Sequence, residues 1–123
     1  MVGKSKHEIE SAVSNVMIKF FEEQLGEKPE QVSTQVMCNT IVVRIKGILQ
    51  PAERHMVRNK EGKNLIKELK GKLIEMAEPI LEVMLVKLIE AEVVDIYSTF
   101  DAETGERIEV FTLTKDLEKF YQD

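Results

Sequence analysis

Tryptophan is absent from this 123-residue chain, cysteine occurs once and histidine twice. A single Cys38 cannot close an internal disulfide, so a reducing compartment, the cytoplasm, is the expected setting. Cys38 itself reads as a small apolar strand residue, because free cysteine is most often buried and inert. His7 and His55 belong to no H-x3-H or C-x2-C spacing, and neither forms a zinc motif. No metal ligand set is expected. Long apolar runs are missing too: the richest stretch, residues 80–89, carries Glu82 and Lys87 and falls short of the roughly 20 residues of a membrane span. The first residues lack the apolar segment of a signal peptide. No Walker A, G-x-G-x-x-G or G-x-S-x-G pattern occurs, so no nucleotide cofactor and no catalytic residue can be assigned.

What is present is charge and periodicity. Charged residues make up 32% of the chain, above the roughly 25% of an average domain. Lysine and glutamate dominate, a mix that leans towards a thermophile. The net charge is −5, but its distribution is uneven. Between Arg54 and Lys72 seven basic residues face two glutamates, a net +5, so the rest carries −10. On a continuous helix Lys60, Lys63, Lys67 and Lys70 share one face. Such a ridge could meet an acidic partner, an anionic lipid surface or nucleic-acid phosphates. The acidic remainder and the lack of interleaved aromatics make nucleic acid the weakest of these.

Periodicity divides the chain into α-β-β-α-β-β-α, an α+β single domain with an antiparallel sheet of two hairpins packed on an N-terminal helix and a long central one. Ser5-Lys6-His7-Glu8 has the form of a capping box, and Ile9, Val13, Val16 and Phe20 follow at helical spacing until Gly26. Val32, Thr34 and Val36, a turn at Asn39-Thr40, and Ile41, Val43 and Ile45 make the first hairpin, closed by Gly47. Pro51 suits a first helical position. Gly62 is expected to interrupt the second helical region. From Lys63 onward Ile66, Leu69, Leu73, Ala77, Ile80 and Met84 keep a three-four spacing, with a kink or split expected near Glu78 ahead of Pro79. Residues 93–100 and 106–113 flank the turn Asp101 to Gly105, whose carboxylates Asp101, Glu103 and Glu106 lack the ligand spacing of a calcium loop. A short terminal helix capped by Thr114 is expected.

Strict alternation in the second hairpin puts Val94, Ile96 and Phe100 on one side and Val93, Tyr97, Phe111 and Leu113 on the other. Both sides are apolar, so the second set needs a cover, either the terminal helix through Leu117, Phe120 and Tyr121 or a second copy, which makes it a candidate dimer face. Arg44, Lys46, Arg54 and His55 lie near the strand-to-helix junction and form a candidate anion cleft, the basis of an alternative reading as a small-molecule binder or enzyme.

Several segments resemble a known family. Gly26-Glu27-Lys28-Pro29, Leu49-Gln50-Pro51-Ala52-Glu53, Gly62 with Leu65-Ile66, Asp101 to Gly105, and Val110-Phe111-Thr112-Leu113 are similar to the MpsC-like family of small bacterial proteins. That family is labelled for a sodium-translocating, membrane-potential-generating system. It often has Thr where Gln50 stands, and Gly where this chain has Glu90-Ala91. The resemblance implies a non-catalytic accessory or regulatory protein of a membrane complex, cytoplasmic or peripheral to the inner membrane, and the doubly apolar hairpin adds the expectation of a homodimer.

Overall fold

The computed structural model describes residues 5–119. Helix α1 spans Lys6–Leu25 and starts where the Ser5 hydroxyl accepts the Glu8 amide at 3.1 Å. It ends at Gly26, in the left-handed conformation that glycine adopts most cheaply (φ 65°). Its buried side is Ile9, Val13, Met17, Phe20 and Phe21. Strands β1 (Gln31–Met37) and β2 (Thr40–Lys46) form the first hairpin. Helix α2 (Pro51–Met56) begins with proline at its first position. Helix α3 runs from Lys60 to Ile89, and β3 (Val93–Asp101) and β4 (Glu106–Leu113) follow. A single 3₁₀ turn, Leu117–Lys119, closes the described chain. The order and the α+β class agree with the sequence reading.

The four strands form one antiparallel sheet in the order β1-β2-β4-β3. Ile41, Val43 and Ile45 of β2, and Phe111 and Leu113 of β4, point to the helix side and are buried. Helix α1 lies against β1, and α3 lies against α1 and β3. The edge of β1 is covered where the Glu10 carboxylate of α1 accepts the Val36 amide at 2.8 Å.

Several local expectations are corrected. The first turn is Cys38-Asn39, and Thr40 already pairs with Met37. Cys38 is exposed, with φ 54°, and is no buried strand residue. The helix break falls at residues 57–59 and not at Gly62, which lies in the first turn of α3 with its amide on the Asn59 side chain (2.7 Å). A Cβ on Gly62 would sit 1.7 Å from the Met56 carbonyl oxygen, so glycine here lets α2 and α3 approach. Helix α3 continues through Pro79 without a split. Proline removes only the hydrogen bond to the Glu75 carbonyl, and packing on both sides of it keeps the helix whole. Thr114 caps no helix: its amide and hydroxyl pair with Glu92. Leu117 is buried, while Phe120 and Tyr121 lie outside the described residues.

The faces of the second hairpin also differ. A bulge between Val93 and Asp95 inserts one residue, so strict alternation fails there. Val93 lies opposite Leu113 and Ile96 opposite Phe111, all on the helix side. Of the four expected dimer-face residues, Phe111 and Leu113 are in the core, Val93 packs against it, and Tyr97 alone faces away.

Candidate functional site

A group of buried charges lies where α3 crosses the sheet. Lys70 sits on the inward face of α3 and is 2% exposed. Its ammonium donates to the Glu27 carboxylate, lies 3.0 Å from Glu53 Oε1, and reaches the Ile48 carbonyl at 3.3 Å. Local structure delivers each partner. Glu27 directly follows the left-handed Gly26, which turns the chain back under α1. Ile48 lies in the β2–α2 link. Glu53, three residues after the α2 cap, also accepts the Gln50 amide at 2.8 Å. One carboxylate thus starts α2 and holds Lys70.

One turn of backbone joins this group to a second. The Lys70 carbonyl accepts Arg107 Nη2 at 3.1 Å. Arg107 Nη1 donates to Ser98 Oγ at 2.7 Å, and Ser98 Oγ lies 2.9 Å from Glu109 Oε1. The guanidinium stacks over Phe100 at 5.3 Å, a cation–π contact strengthened by burial. Arg107 and Glu109 occupy the same parity of β4 as Phe111 and Leu113, so the strand drives them into the core. Glu109 Oε2 and Arg107 Nε are buried without a hydrogen-bond partner among the described residues. Burial pushes the Glu109 carboxyl up to about 7, against the pull of Arg107 and Ser98. Burial lowers Arg107, opposed by Glu109, Glu27 and Glu78.

Two clefts border the cluster. Lys67, Ile74, Glu78, Ser98, Phe100 and Arg107 line one of ≈ 440 Å³ between α3 and β3. Glu78 there is raised, first by burial and then by neighbouring Glu75. The other, ≈ 580 Å³, lies at the strand-to-helix junction.

The second cleft receives only part of the expected anion group. Lys46 and Arg54 line it, but so do Glu30, Glu103 and Glu106. Arg54 pairs with Glu30 at 3.6 Å, and Arg44 is bound to Glu106. His55 is exposed and does not line it. Three carboxylates against two cations make a poor anion site. The lysine ridge is likewise redirected. Lys60, Lys63, Lys67 and Lys70 do share a face, but that face turns towards the β3–β4 turn: Lys63 pairs with Glu103 and Lys70 is buried. The Asp101 carboxylate accepts the Glu103 and Thr104 amides at 2.9 and 3.4 Å and is spent on its own turn.

Sequence reasoning missed Glu27, Glu53, Arg107 and Glu109. A signal was available for all four. Glu27 and Glu53 sit in the segments that carry the family resemblance, and Arg107 and Glu109 alternate in register with core residues of β4. Gly62 and Gly105, from two further such segments, meet α2 and Leu49 at the same corner. Two of the segments that carry the resemblance thus supply the carboxylates that hold Lys70.

The fold and this cluster define an α+β protein in which buried ion pairs tie α3 to α2 and to the α1–β1 link, and an arginine of β4 ties α3 to the sheet by a hydrogen bond. The chain belongs to the MpsC family, described as "Na+-translocating membrane potential-generating system (MpsC)", whose model matches residues 5–115. It is similar to uncharacterized protein YbcI of Bacillus subtilis (strain 168), 35% identical over 116 residues, 94% of each chain. No solved structure matches.

Proposed function

We propose that this protein is a non-catalytic accessory or regulatory component of a membrane-potential-generating system, acting as a homodimer that binds a membrane-complex partner at the cytoplasmic side. Family membership supports the setting. No helix among the described residues is long and apolar enough to cross a membrane, and the reading leaves the ion path to spanning partners.

The observation that carries it is the uncovered face of the sheet. Among the described residues, helices cover one face only. On the other, pairing lines up Gln35, Val42, Val110 and Tyr97 in one row and Ser33, Arg44, Ile108 and Thr99 in the next. Val42, Val110 and Ile108 are half-buried by their neighbours, and Tyr97 is 59% exposed. An apolar centre with a polar rim and an aromatic side chain is the composition of a protein-binding surface.

Affinity purification from native membranes tests this. The wild type is expected to retain a transporter subunit, and Val110→Glu with Tyr97→Glu to lose it while keeping its fold. Equal recovery by both would remove the sheet face from the reading. Light scattering tests the homodimer.

The cleft beside Arg107 supports a second reading, binding of a small anion, since Lys67, Ser98 and Arg107 line it, with Glu75 and Glu78 on its α3 side. Thermal shifts against nucleotides, phosphates and carboxylates would expose it, and a flat response would dismiss it.

A further inference from the structure

The cleft between α3 and β3 carries opposite charges at its two ends. Lys67, Gly71, Glu75 and Glu78 line its helix side, within an arc of about 80° on one flank of α3. Arg107 lines it as well, although it is only 3% exposed. Among the described residues its Nε has no hydrogen-bond partner. The lining thus holds two cations and two carboxylates, and they are segregated. The guanidinium is held level with Gly71 by the Lys70 carbonyl at 3.1 Å, and Lys67 lies one turn before it. Glu75 and Glu78 lie one to two turns after it. Among the described residues Lys67, Glu75 and Glu78 belong to no ion pair, whereas Lys63 is bound to Glu103. The Glu78 carboxyl is raised first by burial and then by Glu75, as expected for two like charges with no cation between them. Gly71 separates the two ends. A Cβ there would meet nothing within 4 Å, so packing does not require glycine. Glycine inside a helix is unfavourable relative to alanine, and what it offers here is close approach of a ligand to the backbone.

We propose that this cleft binds a small zwitterion of the amino-acid class, with its carboxylate against Arg107 and Lys67 and its ammonium against Glu75 and Glu78. The proposal rests on the small-anion reading of the same cleft and adds a second charge to the ligand. An anion alone would be repelled by the two glutamates and leave them unpaired. A simple cation would meet Lys67 and Arg107 in the same way. A ligand that carries both charges satisfies both ends at once. The spacing agrees. Side chains on a helix lean towards its N-terminus, so Glu75 reaches back over Gly71 and Glu78 over Ile74. Both carboxylates then lie within about 5 Å, along the axis, of the level of the guanidinium. An α-amino acid, or a slightly longer ω-amino acid, bridges that span. The volume of ≈ 440 Å³ leaves room for a ligand side chain, with Ile74 and Phe100 as its apolar wall.

Calorimetry and thermal shifts on the full chain test this with defined probes. These are the proteinogenic amino acids, β-alanine and γ-aminobutyrate at millimolar concentration, beside acetate, phosphate and methylamine. At least one zwitterion should bind, and its desamino and decarboxy analogues should each bind at least about tenfold more weakly. Glu75→Gln with Glu78→Gln should weaken the zwitterion and spare its desamino analogue. Lys67→Gln should weaken the zwitterion and spare its decarboxy analogue. Gly71→Leu should raise Tm, since leucine is the better helix former and meets open space, and should abolish binding by filling the cleft. Acetate or phosphate binding as tightly as any zwitterion would keep the small-anion reading and overturn the zwitterion. Methylamine binding as tightly would overturn both, as would a flat response to every probe. A zwitterion whose affinity survives Gly71→Leu would overturn the cleft as its site.

Discussion

The two long faces of α3 invert the usual arrangement of side chains. The inward face, among Ile66, Ile74 and Leu81, holds the charge of Lys70. The outward face holds Leu69, Met76, Ile80 and Val83 in the open. Each departure has a cost, and the two are met differently. Burying an ammonium is unfavourable by several kcal/mol unless it is paired and hydrogen-bonded, and Lys70 finds Glu27, Glu53 and the Ile48 carbonyl within its own chain. The exposed stripe finds nothing comparable among the described residues. A buried charge with internal partners reads as architecture, whereas an exposed apolar stripe calls for a partner from outside.

The largest effect should come from breaking the inward face. Lys70→Ala leaves Glu27 buried and uncompensated, and a loss of about 3–5 kcal/mol is expected in urea denaturation. Lys70→Met combined with Glu27→Gln removes both charges and should recover much of it. If the double variant were no better than Lys70→Ala, the group would owe its weight to packing and not to charge.

Glu109 gives the next effect, seen against pH. Its folded value, about 7, is raised above the ordinary 4.5. Below about 4.5 the carboxyl is neutral in both states and has no effect on the balance. As pH rises from 4.5 to 7 the unfolded chain releases the proton first, so stability falls, by roughly 3 kcal/mol once pH exceeds the folded value. Glu109→Gln should abolish this loss, so its stability advantage over the wild type grows between pH 4.5 and 7. Parallel pH curves would mean that Glu109 is ionised throughout.

These two groups also mark the limit of what sequence conveys. The caps at Ser5 and Gly26, the proline start of α2 and both hairpins were legible, because each depends on a few adjacent residues. The burial of Lys70 was not, since its partner Glu27 lies 43 residues away. The two stripes of α3 were merged for a related reason. Ile66, Leu69, Leu73, Ala77, Ile80 and Met84 satisfy three-four spacing, yet the fold draws Ile66 and Ala77 inward and leaves Leu69 and Ile80 outside. One helix with two apolar faces has no single period to read. In β3 one bulged residue moved Val93 to the side of Ile96 and Phe100, a shift that alternation cannot reveal.

At the end of α3 a smaller effect is expected. Glu90 caps the helix in the left-handed conformation, with φ 57°. Glycine adopts that conformation without the Cβ clash. Glu90→Gly should therefore stabilise the protein by up to about 1 kcal/mol, seen as a rise of a few degrees in Tm. A loss of stability would show that the Glu90 side chain contributes more than its backbone costs.

The smallest effect belongs to the outward face, and its smallness is the point. Leu69→Gln removes an apolar side chain that is 45% exposed and packs little within its own chain. At protein concentrations where the chain is monomeric its stability should stay within about 0.5 kcal/mol of wild type. The wild type should then gain Tm as concentration rises, because association stabilises the folded form by mass action, and Leu69→Gln should not. Ile74→Ala, one face away, should cost about 2–5 kcal/mol at every concentration. A concentration-dependent gap for Leu69 beside a constant one for Ile74 would assign the inward stripe to folding and the outward stripe to association. A constant gap at both would place Leu69 within the fold's own packing and leave the outward stripe without a role in association.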